Sequence, residues 1–125
     1  MQQCVPRATT HANEWAVSVW RQWASNRNQM EETCRDNNFP VPVDLATATV
    51  DNLDYWMSFF IMEICRQDGQ CYPPNSLFNI VAGIQRYLRN LPHFGSIAFF
   101  CKTSSFIRLR KALDCRMKEL TACGV

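Results

Sequence analysis

Residues 53–64 read Leu-Asp-Tyr-Trp-Met-Ser-Phe-Phe-Ile-Met-Glu-Ile, and their period decides the fold. Leu53, Trp56, Met57, Phe60 and Ile64 recur at i, i+3, i+4, i+7 and i+11, the spacing of one helix face, where a strand would alternate by two. Tyr55, Phe59 and Met62 make a second apolar face on the opposite side. A helix apolar on two faces is either central to a bundle or carries a docking surface. Thr49 supplies an N-cap, and Asp51 and Asp54 place carboxylates in the first turn, so the spacing predicts a helix over Val50–Gln67. Asp68-Gly69 ends it, with Gly69 as the left-handed residue past the last turn.

Three more helical segments follow the same rule. Downstream, Tyr72-Pro73-Pro74 opens a helix in which Leu77, Ile80, Val81, Ile84 and Leu88 form a clean inward stripe. Asn79, Gly83, Arg86 and Asn90 fall on its other side. Gly83, mid-helix and outward, costs about 1 kcal/mol relative to Ala; either something approaches that backbone closely or the position tolerates the loss. Upstream, His11–Asn28 repeats Ala16, Val19, Trp20 and Trp23 on one stripe, with Thr10 as N-cap. Those indoles read as core; a base-stacking platform is the alternative. The last helix spans Ser105–Ala122, capped by Ser104 and ended by Gly124, with Phe106, Leu109, Leu113, Met117 and Leu120 inward.

Two stretches break the pattern. Gln29–Thr49 contains Asn37-Asn38, Pro40 and Pro42 and reads as one long loop that pins Phe39, Val41 and Leu45 on the bundle. Leu91–Lys102 contains Pro92 and Gly95, and its run Ile97-Ala98-Phe99-Phe100 reads as a short extended connector that tucks phenylalanines inward. The fold class is all-α: a four-helix bundle with one long loop and one short connector. Residues 1–11 are an N-terminal arm and 12–125 the helical domain. The expected core is Trp20, Trp56, Phe60, Ile84, Leu88, Leu113 and Met117.

The chain's 125 residues are 47% hydrophobic and 19% charged, which excludes a disordered tail. No apolar run reaches the roughly 18 residues of a membrane span, and Met1–Thr10 lacks the apolar core of a secretory signal. Seven cysteines, an odd number without any Cys-x-x-Cys, read as reduced thiols of an intracellular chain; no metal site is expected. The net charge of +2 hides an asymmetry, since residues 1–68 hold five basic and nine acidic side chains and residues 69–125 hold eight and two. Between Gly69 and Leu113 there is no Asp or Glu. A basic half implies an anionic partner or an ordinary solvated face.

The run Leu53–Leu77, with its Asp68-Gly69…Tyr72-Pro73-Pro74-Asn75-Ser76-Leu77, and the following Gly83-Ile84-Gln85-Arg86 carry a specific likeness. With Trp15–Trp23 and Leu113–Gly124, they resemble the domain shared by zinc-finger MYM-type proteins and a related glutamine-rich nuclear protein. That domain descends from the tyrosine recombinases of Crypton transposons. The resemblance covers about residues 12 to 124. It implies the N-terminal, SAM-like core-binding half, which clamps one side of a duplex and lays helices corresponding to the second and fourth across the major groove. It also implies that the Arg…His-x-x-Arg…Tyr machinery belongs to a separate half, expected to begin where this chain stops at Val125, and MYM-type Cys-x-x-Cys fingers are missing.

Tyr55, Tyr72 and Tyr87 lack a neighbouring His and Arg set, so no catalysis is expected. The expectation is a non-catalytic module that contacts duplex DNA weakly, in a nuclear setting. Its candidate contacts are Arg86, Arg89, Lys102, Arg108, Arg110, Lys111, Arg116 and Lys118, cations suited to phosphates rather than bases. Arg108, Lys111 and Lys118 lie opposite the apolar stripe, while Arg110 and Arg116 flank it. The alternative is a protein-interaction scaffold that binds through Tyr55, Phe59 and Met62. No cofactor, small-molecule substrate or membrane is expected in either case.

Overall fold

A computed structural model describes residues 7–34, 41–66, 68–101 and 104–123. Four helices account for most of them: α1 (Arg7–Cys34), α2 (Val50–Glu63), α3 (Pro74–Arg89) and α4 (Ile107–Ala122), with single 3-10 turns at Leu45–Thr47 and Pro92–Phe94. No strand occurs among the described residues. The architecture is the expected all-α bundle. It is built as two helix pairs, α1 on α3 and α2 on α4, with α3 and α4 also in contact.

The stripe of α3 is buried as expected from Leu77 to Leu88. Pro74 opens that helix at a position where its missing N–H has no partner to lose, and the Leu77 N–H reaches the Pro73 carbonyl at 3.0 Å. The opposite side of α3 does not face water in its middle. Gly83 is buried, and a Cβ built there would lie 2.9 Å from the Ala16 Cβ and 3.4 Å from the Ala12 carbonyl oxygen. A close approach therefore explains the glycine. Beside it, the Arg86 Nε donates to the Oδ1 of buried Asn13 at 2.9 Å.

α1 is longer than the period of its tryptophans predicts. It starts at Arg7, three residues before Thr10, and continues through Gln29–Cys34, where no Pro or Gly interrupts it. The expected arm and long loop are shorter by those residues, and Phe39 lies outside the described ones. Trp20 is fully buried, and its indole N–H donates to the Pro42 carbonyl at 2.9 Å. Asn28 clasps the incoming chain, accepting from the Val41 N–H at 2.7 Å and donating to the Val41 carbonyl at 3.0 Å. Val41 and Leu45 are buried as expected. Trp15, at 45% exposure, stays outside the core.

Thr49 caps α2, accepting from the Asn52 N–H at 3.2 Å. The helix stops at Glu63, four residues earlier than expected. Ile64 turns extended and buries its side chain, and the Arg66 amide and carbonyl are taken by a turn: Arg66 N–H to Gln70 O at 2.8 Å, and Gly69 N–H to Arg66 O at 2.9 Å. Gly69, at φ 87°, serves this turn and not the helix end.

α4 starts at Ile107, not at Ser105. Phe106 is buried edge-on against Phe99, ring centroids 4.7 Å apart, so the chain becomes helical only after it. Ser104 is drawn away by Arg110, whose guanidinium donates to its hydroxyl and carbonyl. The cap comes from another helix, because the Leu109 N–H donates to Asp54 Oδ1 on α2 at 2.9 Å. Gly124 lies outside the described residues. Of the expected core, Trp20, Trp56, Phe60, Ile84, Leu88 and Leu113 are buried, while Met117 is half-buried at the surface.

Because Asp54 is the side chain that caps the first turn of α4, Asp54→Ala is expected to lower stability by about 1–2 kcal/mol. Asp54→Asn, which keeps the acceptor, should recover most of the loss. Urea denaturation of the three proteins measures this, and equal midpoints for wild type and Asp54→Ala would contradict the cap.

Candidate interaction surface

The cations that the sequence offers as one set divide by what they touch. Arg86 is committed to Asn13. Arg89 is exposed, yet its Nε donates to the Ile97 carbonyl at 2.8 Å. Arg110 Nη1 reaches the Phe99 carbonyl at 3.3 Å in addition to Ser104. Arg116 spans Glu119 Oε2 at 3.2 Å and Cys71 Sγ at 3.4 Å. Arg89 and Arg110 thus satisfy carbonyls of the connector, whereas Arg86 and Arg116 are held by side chains.

The remaining cations line the outer ridge of α4. Arg108 is exposed and sits 5.7 Å from the Tyr55 ring centroid; Lys111 is exposed; Lys118 pairs with Asp114 at 2.9 Å, a contact that raises the lysine's pKa. Lys102 lies outside the described residues. At 100° per residue Lys111 and Lys118 fall within about 20° of each other, so they form one edge.

The aromatic face of α2 is only partly open. Tyr55 and Met62 are 36% and 38% exposed, while Phe59 is half-buried. Arg27 covers it, with its guanidinium carbon 4.9 Å from the Phe59 ring centroid and 5.4 Å from that of Trp56. Glu63 holds Arg27 in place through an ion pair and accepts from the Trp23 indole at 3.0 Å. Tyr55 meets Phe59 edge-on at 5.1 Å, and with Phe59 half-buried under Arg27 the face is only partly open.

A larger apolar opening, which periodicity did not reveal, lies between α3 and α4. Phe78, 40% exposed, stacks on Phe100 with centroids 4.9 Å apart. With Leu113, Met117 and Ala122 they line a groove of about 860 Å³. Phe78 stands one residue off the inward stripe, directly after Leu77, and that off-phase phenylalanine was the only available signal. Lys118 lies on the groove wall, and Lys111 is about two turns away along the same edge of α4.

A smaller cleft of about 410 Å³ lies between α1 and the segment after α2, lined by Trp15, Trp23, Glu63, Cys65, Arg66 and Tyr72. Trp15 meets Tyr72 edge-on at 6.1 Å. Burial pushes the Tyr72 phenol above its ordinary pKa, and the charge of Arg66 opposes that shift.

Residues 10–119 match the model of the QRICH1 domain. The chain belongs to that family. This QRICH1 domain is 28% identical over 90 residues to human Zinc finger MYM-type protein 3, covering 66% of this chain and 7% of that protein. It is 29% identical over 80 residues to mouse Zinc finger MYM-type protein 2, covering 59% of this chain and 6% of that protein. With human Uncharacterized protein KIAA1958 it shares 25% identity over 117 residues, 94% of this chain and 14% of that protein. The chain thus spans a small part of each relative's length. No solved structure matches it. No helix among the described residues is long and apolar enough to cross a membrane.

The division of the cations has a measurable consequence. Arg110→Ala is expected to cost about 1.5–3 kcal/mol, as the loss of charged hydrogen bonds to part-buried carbonyl and hydroxyl groups does. Lys111→Ala, on the exposed ridge one residue later, should change stability by less than about 0.5 kcal/mol. Thermal denaturation of both variants checks the contrast, and equal losses would contradict it.

Proposed function

We propose that this QRICH1 domain is a non-catalytic protein-interaction module of a nuclear regulator, and that the groove between α3 and α4 receives its partner. The observation that carries this reading is the stacked Phe78–Phe100 pair at the mouth of an apolar groove about 860 Å³ in volume. A half-exposed aromatic in a concave apolar site is the kind of anchor that dominates interface energies. The chemistry of the walls supports an acidic amphipathic helix as the occupant. α3 and the connector hold no Asp or Glu, and the groove is lined on α4 by Arg110 and Lys118, with Asp114 the single carboxylate in its wall. The nuclear setting rests on the likeness to MYM-type zinc-finger proteins.

A second reading, weak contact with duplex DNA, is favoured by the ridge Arg108, Lys111 and Lys118. It fits descent from the SAM-like core-binding half of a Crypton tyrosine recombinase, in which the fourth helix contacts the duplex. Asp51 and the aromatic outer face of α2 do not fit a second groove-binding helix.

One set of fluorescence anisotropy titrations separates the readings. The probes are a labelled amphipathic peptide with leucines on one face and glutamates on the other, its glutamate-to-lysine counterpart, and a duplex of about 20 base pairs. Phe78→Asp should weaken the acidic peptide by about 30-fold or more and leave DNA binding unchanged. Replacing Arg108, Lys111 and Lys118 by Ala should flatten any DNA salt dependence, expected to slope by about −2 to −3 in log K against log salt. Acidic peptide binding that ignores Phe78→Asp would refute the groove, and DNA binding identical in wild type and triple variant would refute the ridge.

A further inference from the structure

The segment between α2 and α3 carries two cysteines, Cys65 and Cys71, on either side of the turn closed by Gly69. Its hydrogen bonds set a register. The Arg66 N–H donates to Gln70 O at 2.8 Å and the Gly69 N–H to Arg66 O at 2.9 Å, with Gly69 left-handed at φ 87°. This is the pattern of a tight hairpin whose last turn residue is a left-handed glycine. Asp68 reinforces it by accepting from the Gln70 N–H at 3.0 Å. Arg66 therefore faces Gln70, and the next residues outward, Cys65 and Cys71, face each other as a non-hydrogen-bonded pair.

That position has a specific chemistry. Directly opposed residues of such a pair have Cα atoms about 4.5 Å apart and side chains on the same face. A disulfide requires Cα separations of about 4.4–6.8 Å. The two thiols have different surroundings. Cys65 lies with Arg66 and Tyr72 along the cleft against Trp15, and the Cys71 sulfur is held by Arg116 Nη2 at 3.4 Å. Cys65 is exposed, its sulfur 3.5 Å from the Glu63 carbonyl oxygen, and neither cysteine is in a disulfide.

We propose that Cys65 and Cys71 form a reversible thiol–disulfide modification site that closes across this hairpin on exposure to a low-molecular-weight disulfide such as oxidised glutathione. The exposed Cys65 thiolate attacks one glutathione sulfur, the glutathione S–S bond breaks, and the departing thiolate takes up the proton that Cys65 lost. The Cys71 thiolate then attacks the Cys65 sulfur of the mixed disulfide and expels the second glutathione, which is protonated in turn. Two protein thiols are oxidised and one glutathione disulfide is reduced to two thiols. Closing the bond removes the Cys71 sulfur from Arg116. Cys101, Cys115 and Cys123, exposed on other elements, serve as internal controls.

The test treats the full chain with oxidised glutathione, alkylates remaining thiols and maps tryptic peptides by mass spectrometry. Cleavage after Arg66 separates the two cysteines, so their disulfide appears as two joined peptides. The linked 65–71 pair should exceed every other cysteine pairing by about tenfold, because the turn closes so short a loop. Cys71→Ser should instead accumulate glutathione on Cys65. Glutathione retained on Cys65 in the wild-type chain with Cys71 alkylated, or links scattered evenly among the cysteines, would overturn the proposal.

Discussion

Gly83 lies against Ala16 so closely that a single added methyl would overlap it, and this backbone approach of α3 to α1 governs the rest of the bundle. It brings Asn13 within reach of Arg86, which satisfies the one polar residue buried among the described positions. It also places the indole of Trp20 where it can fill the core and anchor Pro42, and so directs the chain that leads into α2. The second helix pair is fixed differently, by a side-chain hydrogen bond. Asp54 reaches from α2 to the first turn of α4, where the unsatisfied N–H groups and the helix dipole favour a carboxylate.

Between the two pairs runs a connector with little regular hydrogen bonding of its own. Gln85 accepts from the Phe99 N–H at 2.6 Å, while Arg89 and Arg110 take the carbonyls of Ile97 and Phe99. Side chains from α3 and α4 thereby do for this segment what a neighbouring strand would do in a sheet. The consequence for function is direct. Cations used in this way are held away from an external anion, and what remains outside is a narrow lysine and arginine ridge beside an apolar groove. The same connector forms one wall of that groove through Phe100, so the stapling that consumes the arginines also shapes the site.

Much of this was legible in the residues. The Leu77–Leu88 stripe, the Thr49 cap and the burial of Phe99 follow from period, hydrogen-bonding chemistry and hydrophobicity, all of which act locally. What was not legible depends on contacts distant in sequence. Asp54 reads as a first-turn carboxylate of its own helix and caps another one. Arg86 and Arg110 read as surface charge because no local pattern distinguishes a solvated guanidinium from one bonded to Asn13 or Phe99. Gly69 reads as a helix end because a left-handed glycine serves a helix C-terminus and a hairpin turn equally well. Met117 and Phe78 lie at the margin between core and surface, where periodicity cannot separate a groove from an interior.

The controlling contact between α1 and α3 can be tested by the sign of one stability change. In an exposed helix, Gly→Ala stabilises by about 1 kcal/mol. At Gly83 the account predicts the opposite: Gly83→Ala lowers the melting temperature, because overpacking against Ala16 costs about 1–3 kcal/mol. In a double-mutant cycle Ala16→Gly should recover part of that loss. A Gly83→Ala protein that melts higher than wild type would contradict the account.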